Sequence, residues 1–164
     1  MKTLGFIGTG GMGVGMATNL IKAGYKLIVN DLMREQAKTL ESQGALFVET
    51  PKMVAEACDL ILSMLPNNDA VKAVGLGVGG LLEATSGSKE WIDFSSIDKE
   101  TIVGVNSQLS ERGWTVVDAS AGGVEEVAAA GELALWFSGS KAMFEENQPI
   151  FGAMGKSILH VGEL

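Results

Sequence analysis

Gly5-Phe6-Ile7-Gly8-Thr9-Gly10-Gly11-Met12-Gly13 decides how this chain folds. The apolar run Leu4 to Ile7 reads as a buried strand and ends in a cluster of glycines. Beyond them Met12, Met16 and Leu20, with Ala17 and Ile21, recur at the step of one helix face. Gly8, Gly10 and Gly13 have the spacing G-x-G-x-x-G, and their place between a strand and a helix makes this a dinucleotide-binding turn. Gly8 allows the tight turn, Gly10 lets the backbone approach a pyrophosphate, and Gly13 lets the helix pack closely on the strand. The first helical turn offers unpaired N–H groups and a partial positive charge to the phosphates.

Outward from this turn, Gly24 closes the first helix and Lys26 to Asn30 form a second strand. Asp31 follows, 18 residues after Gly13, where an acid ~20 residues on accepts hydrogen bonds from the adenosine ribose. A carboxylate there repels a 2′-phosphate and favours NAD, while Arg34 is positioned to partner that phosphate and keeps NADP open. Met33, Ala37 and Leu40 line a second helix closed by Gly44, and Leu46 to Val48 form a third strand. Thr50-Pro51 start a short helix to Ala57. Asp59 to Leu65 is the fourth strand, ended by Pro66. Gly75 to Gly80 reads as a glycine-rich link into Leu81-Leu82. Strands follow at Trp91–Phe94, Trp114–Asp118, Glu132–Ser138 and Ser157–Val161, with helices around Ile102, Val105 and Leu109 and over Lys141–Phe151. This alternation predicts α/β architecture: one doubly wound, mostly parallel Rossmann sheet over residues 1–164.

Composition narrows the function. The 164 residues hold 12 Lys+Arg against 20 Asp+Glu, a net charge of −8, with a pI near 4.6. Such a chain lacks the basic surface for nucleic acid or an anionic membrane. No apolar run approaches the ~20 residues of a membrane span. One cysteine and one histidine provide neither a disulfide framework nor a metal-ligand cluster. The reading is a cytoplasmic protein without metal. Cys58 and His160 are read as structural, Glu125-Glu126 and Glu145-Glu146 as solvated surface, and Trp91, Trp114 and Trp136 as strand packing. Ser63 and Ser95 lie outside any nucleophile elbow, which argues against a hydrolase.

Several of these stretches resemble the β-hydroxyacid dehydrogenase family, which includes 3-hydroxyisobutyrate dehydrogenase, tartronate semialdehyde reductase and the N-terminal part of 6-phosphogluconate dehydrogenase. Gly5 to Gly13 with Met16-Ala17-Thr18-Asn19-Leu20 and Lys22-Ala23-Gly24 is close to its cofactor motif. Asp59 to Pro66 is similar to its fourth-strand segment, Asp93-Phe94-Ser95-Ser96 to its Asp-x-Ser-Thr segment, and Phe144 to Gly162 to its closing pattern. The resemblance covers nearly the whole chain. It implies reversible hydride transfer between NAD, with NADP open, and a small carboxylate-bearing 3-hydroxy acid or its semialdehyde. It implies cofactor contacts from Gly8, Gly10, Gly11, Met12, Gly13, Leu65 and Pro66, and from Ser96 at the nicotinamide side; capping of the helix that begins near Asp98 is the other reading of Ser95 and Ser96.

Two segments depart from the family. Its substrate run Asp-Ala-Pro-Val-Ser-Gly-Gly corresponds to Asp118-Ala119-Ser120-Ala121-Gly122-Gly123-Val124. The family serine falls on Gly122 without a gap, or on Ala121 with one, so its hydroxyl is missing. Ser120 offers a neighbouring hydroxyl, and Gly122 and Gly123 offer backbone N–H groups to a carboxylate. In the family a later helix carries the proton-donating lysine, and an all-helical second domain follows. Lys141 and Lys156 do not match that lysine. The expectation is a chain without a catalytic residue of its own, inactive alone because a positioned acid is worth ~10²–10⁴ in rate. It would self-associate through the surface a helical domain would cover. The alternative is a non-catalytic nucleotide-binding module for redox sensing or scaffolding. A methyltransferase is opposed by the third glycine and by Met64-Leu65-Pro66.

Overall fold

A computed structural model describes residues 2–58, 60–86 and 90–164. The first half alternates strictly: β1 (Thr3–Ile7), α1 (Gly11–Lys22), β2 (Lys26–Asn30), α2 (Arg34–Ser42), β3 (Leu46–Phe47), α3 (Pro51–Ala57), β4 (Leu60–Ser63) and α4 (Asn68–Leu76). The second half comprises β5 (Glu90–Asp93), α5 (Lys99–Ser110), β6 (Thr115–Asp118), β7 (Ala121–Gly122), α6 (Glu125–Ala130), β8 (Leu133–Ser138), α7 (Lys141–Glu146), α8 (Gln148–Met154) and β9 (Gly155–Gly162). Among the described residues the strands form one sheet in the order β3-β2-β1-β4-β5-β6-β8-β7, with β9 on β8. Pairing is parallel from β3 through to β6. β8 runs antiparallel to β6 and β7, and β9 parallel to β8. The predicted doubly wound α/β class is the observed one.

Alternate residues of each strand serve opposite faces, which is why the strands are apolar throughout. Leu4, Phe6, Leu62 and Phe94 pack against Met16, Leu20 and Phe151 on one side. Ile7, Ile61 and Trp91 pack against Val54, Val71 and Ile102 on the other. Where the strands end, one register row runs Asn30, Ile7, Ser63, Asp93, Asp118, Ser138 across the sheet. The row turns polar where the apolar core stops, and the site lies along it.

Three local expectations are corrected. The Gly75–Gly80 link is in part helix: Asn67 caps α4 by accepting from the Ala70 N–H at 2.9 Å. Gly75 sits inside α4 because a Cβ there would come within 3.0 Å of both Trp91 and Val105; it permits close packing instead of a turn. Met33 does not line α2 but precedes it as N-cap, 57% exposed. Lys141–Phe151 splits into α7 and α8 at Asn147, since Pro149 lacks an N–H and would strike the carbonyl four residues back in a continuous helix; the Asn147 side chain instead donates to the Met143 carbonyl at 2.9 Å. Asp59, read as the first residue of the fourth strand, lies outside the described residues.

Candidate functional site

A cleft of about 680 Å³ opens at the C-terminal ends of β1, β2 and β4. The loop residues Gly8, Gly10, Gly11, Met12 and Gly13 line it, with Asp31, Leu65 and Pro66. The glycines divide by what surrounds them. Gly8 has φ +89°, and a Cβ there would lie 2.2 Å from the Met64 carbonyl oxygen. At Gly13 a Cβ would lie 1.9 Å from the Gly8 carbonyl oxygen, so helix and strand close only on glycine. Gly10 differs: a Cβ there would meet no atom within 4 Å. The protein's own backbone fills the space at Gly8 and Gly13 and leaves it open at Gly10, as a pyrophosphate cradle requires.

Within α1 this end carries no acid in the first turn and, with Gly10 as N-cap, no side-chain cap. The positive end of the dipole is therefore not offset from within α1 itself. Gly11 is explained by α6: a Cβ at Gly11 would lie 1.8 Å from Oε1 of Glu125. Glu125 was read as solvated surface; it is exposed, yet its carboxylate rests against the glycine loop.

Asp31 stands at the tip of β2 across from the loop. Its Oδ2 accepts from the Thr9 N–H at 2.7 Å and the Thr9 hydroxyl at 3.3 Å, and its Oδ1 accepts from the Met33 N–H at 2.9 Å. These bonds fix the carboxylate while leaving lone pairs for ribose hydroxyls. Buried Asn30 locks the same tip by donating to the Val48 carbonyl at 2.9 Å. Arg34 also lines the cleft, but its guanidinium pairs with Glu41 at 3.0 Å and Glu49 at 3.9 Å and lies 4.9 Å from the Phe47 ring centroid.

Leu65 is held from behind by Ser95, whose Oγ accepts from the Leu65 N–H at 2.8 Å and donates to Asp93 Oδ1 at 2.8 Å. Ser63 donates to the same oxygen at 2.5 Å and accepts from Trp91 Nε1 at 2.7 Å. Sequence reasoning passed over this buried cluster; the signal available was a polar residue at the tip of each apolar strand. Ser96 is exposed and outside the lining of the cleft. Neither serine caps α5; Asp98 does, accepting from the Thr101 N–H at 2.7 Å.

The segment read for substrate lies beyond β6. Ser120 donates to both carboxylate oxygens of Asp118, at 3.2 and 3.1 Å. Gly122 lies beneath Trp136, where a Cβ would come 2.6 Å from the ring, and Gly123 has φ +150°. Burial pushes the Asp118 carboxyl up from its ordinary value, against the pull of Ser120. Cys58 is buried at the end of α3. His160 Nε2 lies 2.6 Å from the Gly139 carbonyl oxygen, with its ring stacked on Phe144. Among the described residues no helix is long and apolar enough to cross a membrane.

Comparison with known proteins matches residues 3–162 to the NAD binding domain of 6-phosphogluconate dehydrogenase. 2-(Hydroxymethyl)glutarate dehydrogenase of Eubacterium barkeri is 38% identical over 98% of this chain and 53% of its own length. 2-Hydroxy-3-oxopropionate reductase of Escherichia coli K12 is 39% identical over 97% of this chain and 54% of its own. Among solved structures, Mycobacterium tuberculosis 3-hydroxyisobutyrate dehydrogenase with L-serine superposes with a TM-score of 0.91 at 26% identity, covering 99% of this chain and 55% of that one. The chain thus spans about half the length of the relatives it matches.

Proposed function

Because this chain belongs to the family of the NAD-binding domain of 6-phosphogluconate dehydrogenase, we propose that it holds NAD(H) for hydride transfer to or from a small 3-hydroxy acid or its semialdehyde. The observation that carries this reading is the open position of Gly10 at the N-terminus of α1, with Asp31 fixed on the same cleft. Both curated relatives described above are named for the oxidation or reduction of a small carboxylate. A bound nicotinamide would supply or take the hydride. The chain's own residues would do the holding: the α1 N-terminus and the Gly10 backbone at the pyrophosphate, Asp31 at the adenosine ribose, Leu65 and Pro66 along the wall. Ser96 is the candidate for the nicotinamide side, and Ser120, Gly122 and Gly123 for the substrate.

No lysine lines the cleft among the described residues. The developing alkoxide would lack a positioned proton donor there, so the chain by itself should bind coenzyme without turning over substrate. The local charges favour NAD over NADP. Asp31 and Glu49 both line the cleft, and the guanidinium of Arg34 is already shared between Glu41 and Glu49. A 2′-phosphate would meet two acids and a cation that is already paired.

Fluorescence titration of the chain with NADH and NADPH tests both points. NADH should bind tighter by about tenfold or more, the ratio set by one unfavourable charge contact of about 1.4 kcal/mol. Equal or tighter binding of NADPH would remove the assigned role of Asp31. Binding of neither would remove the coenzyme reading.

A further inference from the structure

Asp93 ends β5 with no exposed surface, and the proton directions around it are fixed by chemistry. An indole N–H and a backbone N–H can only donate, so Trp91 donates to Ser63 and Leu65 donates to Ser95. Each serine must then pass its own proton to Asp93 Oδ1. Two chains of hydrogen bonds converge on one carboxyl oxygen. The other, Oδ2, is buried without a partner among the described residues. A carboxyl kept only for packing would be matched at both oxygens or replaced by an apolar group, because a bare buried acceptor is costly.

The two chains lead to different places. Through Ser63 the carboxyl reaches Trp91, in the core beneath α4 and α5. Through Ser95 it reaches the backbone of Leu65, which lines the cleft. That backbone abuts the glycine turn: a Cβ on Gly8 would lie 2.2 Å from the Met64 carbonyl oxygen and 3.0 Å from Leu65 Cδ2. A shift of Leu65 would therefore be felt at the loop that cradles the phosphates.

We propose that Asp93 is a positioning residue for the dinucleotide: through Ser95 it sets the Leu65 amide, and with it the wall of the cleft that faces Gly8. The inference rests on the coenzyme reading above. It assigns a binding role to a buried acid that touches no ligand, and separates the Ser95 arm from the Ser63 arm of the same network.

Calorimetric titration of the chain and its variants with NADH and with 5′-AMP, which reaches only the Asp31 end, tests this. Ser95→Ala should weaken NADH about tenfold, because the Leu65 wall loses its fixed position, and leave 5′-AMP within about twofold. Ser63→Ala, equally buried, should leave both ligands within about twofold. Should Ser95→Ala fail to fold, Ser95→Cys, similar in shape but a weaker acceptor, should shift NADH in the same direction by about threefold. Equal losses for NADH and 5′-AMP in the Ser95 variant, or equal NADH losses in the Ser95 and Ser63 variants, would overturn the proposal and leave Asp93 a core residue. If the unmodified chain bound neither ligand, the coenzyme reading would have failed first and the inference with it. NADH binding with unchanged affinity in Ser95→Ala would defeat the inference alone.

Discussion

At the β1–β2 end of the sheet, the Gly8–Gly13 loop faces open space and a helix end with no acid in its first turn. At the β6–β7 end, side chains crowd the small residues: Gly122 lies under Trp136, and the Ser120 hydroxyl donates to Asp118. Both ends sit past the C-terminal tips of strands, the place where open α/β sheets bind ligands. At the first, backbone atoms set the space at Gly8 and Gly13. A glycine turn is legible from its own spacing, whereas a substrate grip depends on side chains brought from elsewhere.

The glycines offer the largest test of this contrast. Gly8→Ala would place a Cβ on a φ of +89° and against the Met64 carbonyl, so it should cost about 3 kcal/mol or more of stability in denaturant unfolding. Gly10→Ala should leave stability within about 0.5 kcal/mol, since a Cβ there meets nothing within 4 Å. Yet the new methyl group would occupy the approach to the pyrophosphate, and NADH affinity should fall by about thirtyfold. Parallel losses of stability in both variants would show that the open position at Gly10 is not a binding cradle.

The two ends meet at Asp93 and Asp118, neighbours in register on β5 and β6. Burial, aided by Asp118 and opposed by Ser63 and Ser95, raises the Asp93 carboxyl from 3.8 to about 6. The native state therefore holds this proton more tightly than the unfolded chain. The contribution to stability is fully present below pH 3.8 and lost as the pH rises to about 6 and beyond. The loss amounts to about 2–3 kcal/mol. Asp93→Asn has no such proton, so the stability of the parent minus that of the variant should fall by that amount between pH 4 and 7. Denaturant unfolding across this range checks it; a flat difference would mean that the carboxyl is not desolvated as its burial indicates.

What the sequence disclosed follows the same division. The strand–glycine–helix unit, Asp31 after β2 and the Thr50-Pro51 start of α3 are set by interactions within a few residues, and local spacing reveals them. Gly75 was misread because the same residue type serves turning and close packing, and only the position of Trp91 tells which. The Asp93–Ser63–Ser95 cluster joins residues 30 apart, so neither serine alone discloses it. Trp136 over Gly122 and Glu125 against Gly11 are likewise tertiary contacts with no periodic trace. The orientation of β8, antiparallel to β6, also depends on pairing that apolar patterning does not encode.

The smallest effect should come from Ser120. Its hydroxyl donates to Asp118 Oδ1 and Oδ2 and lies outside the lining of the coenzyme cleft. Ser120→Ala should therefore leave NADH affinity within about twofold. It should cost about 1 kcal/mol of stability above the Asp118 pKa, the ordinary value of one hydrogen bond to a partly buried charge. That loss should shrink in acid, because the neutral carboxyl accepts the hydroxyl more weakly and its protonation is already favoured by burial. Unfolding at pH 7 and pH 4 measures the difference. A large loss of NADH affinity would instead place Ser120 in the coenzyme cleft and erase the distinction between the two ends of the sheet.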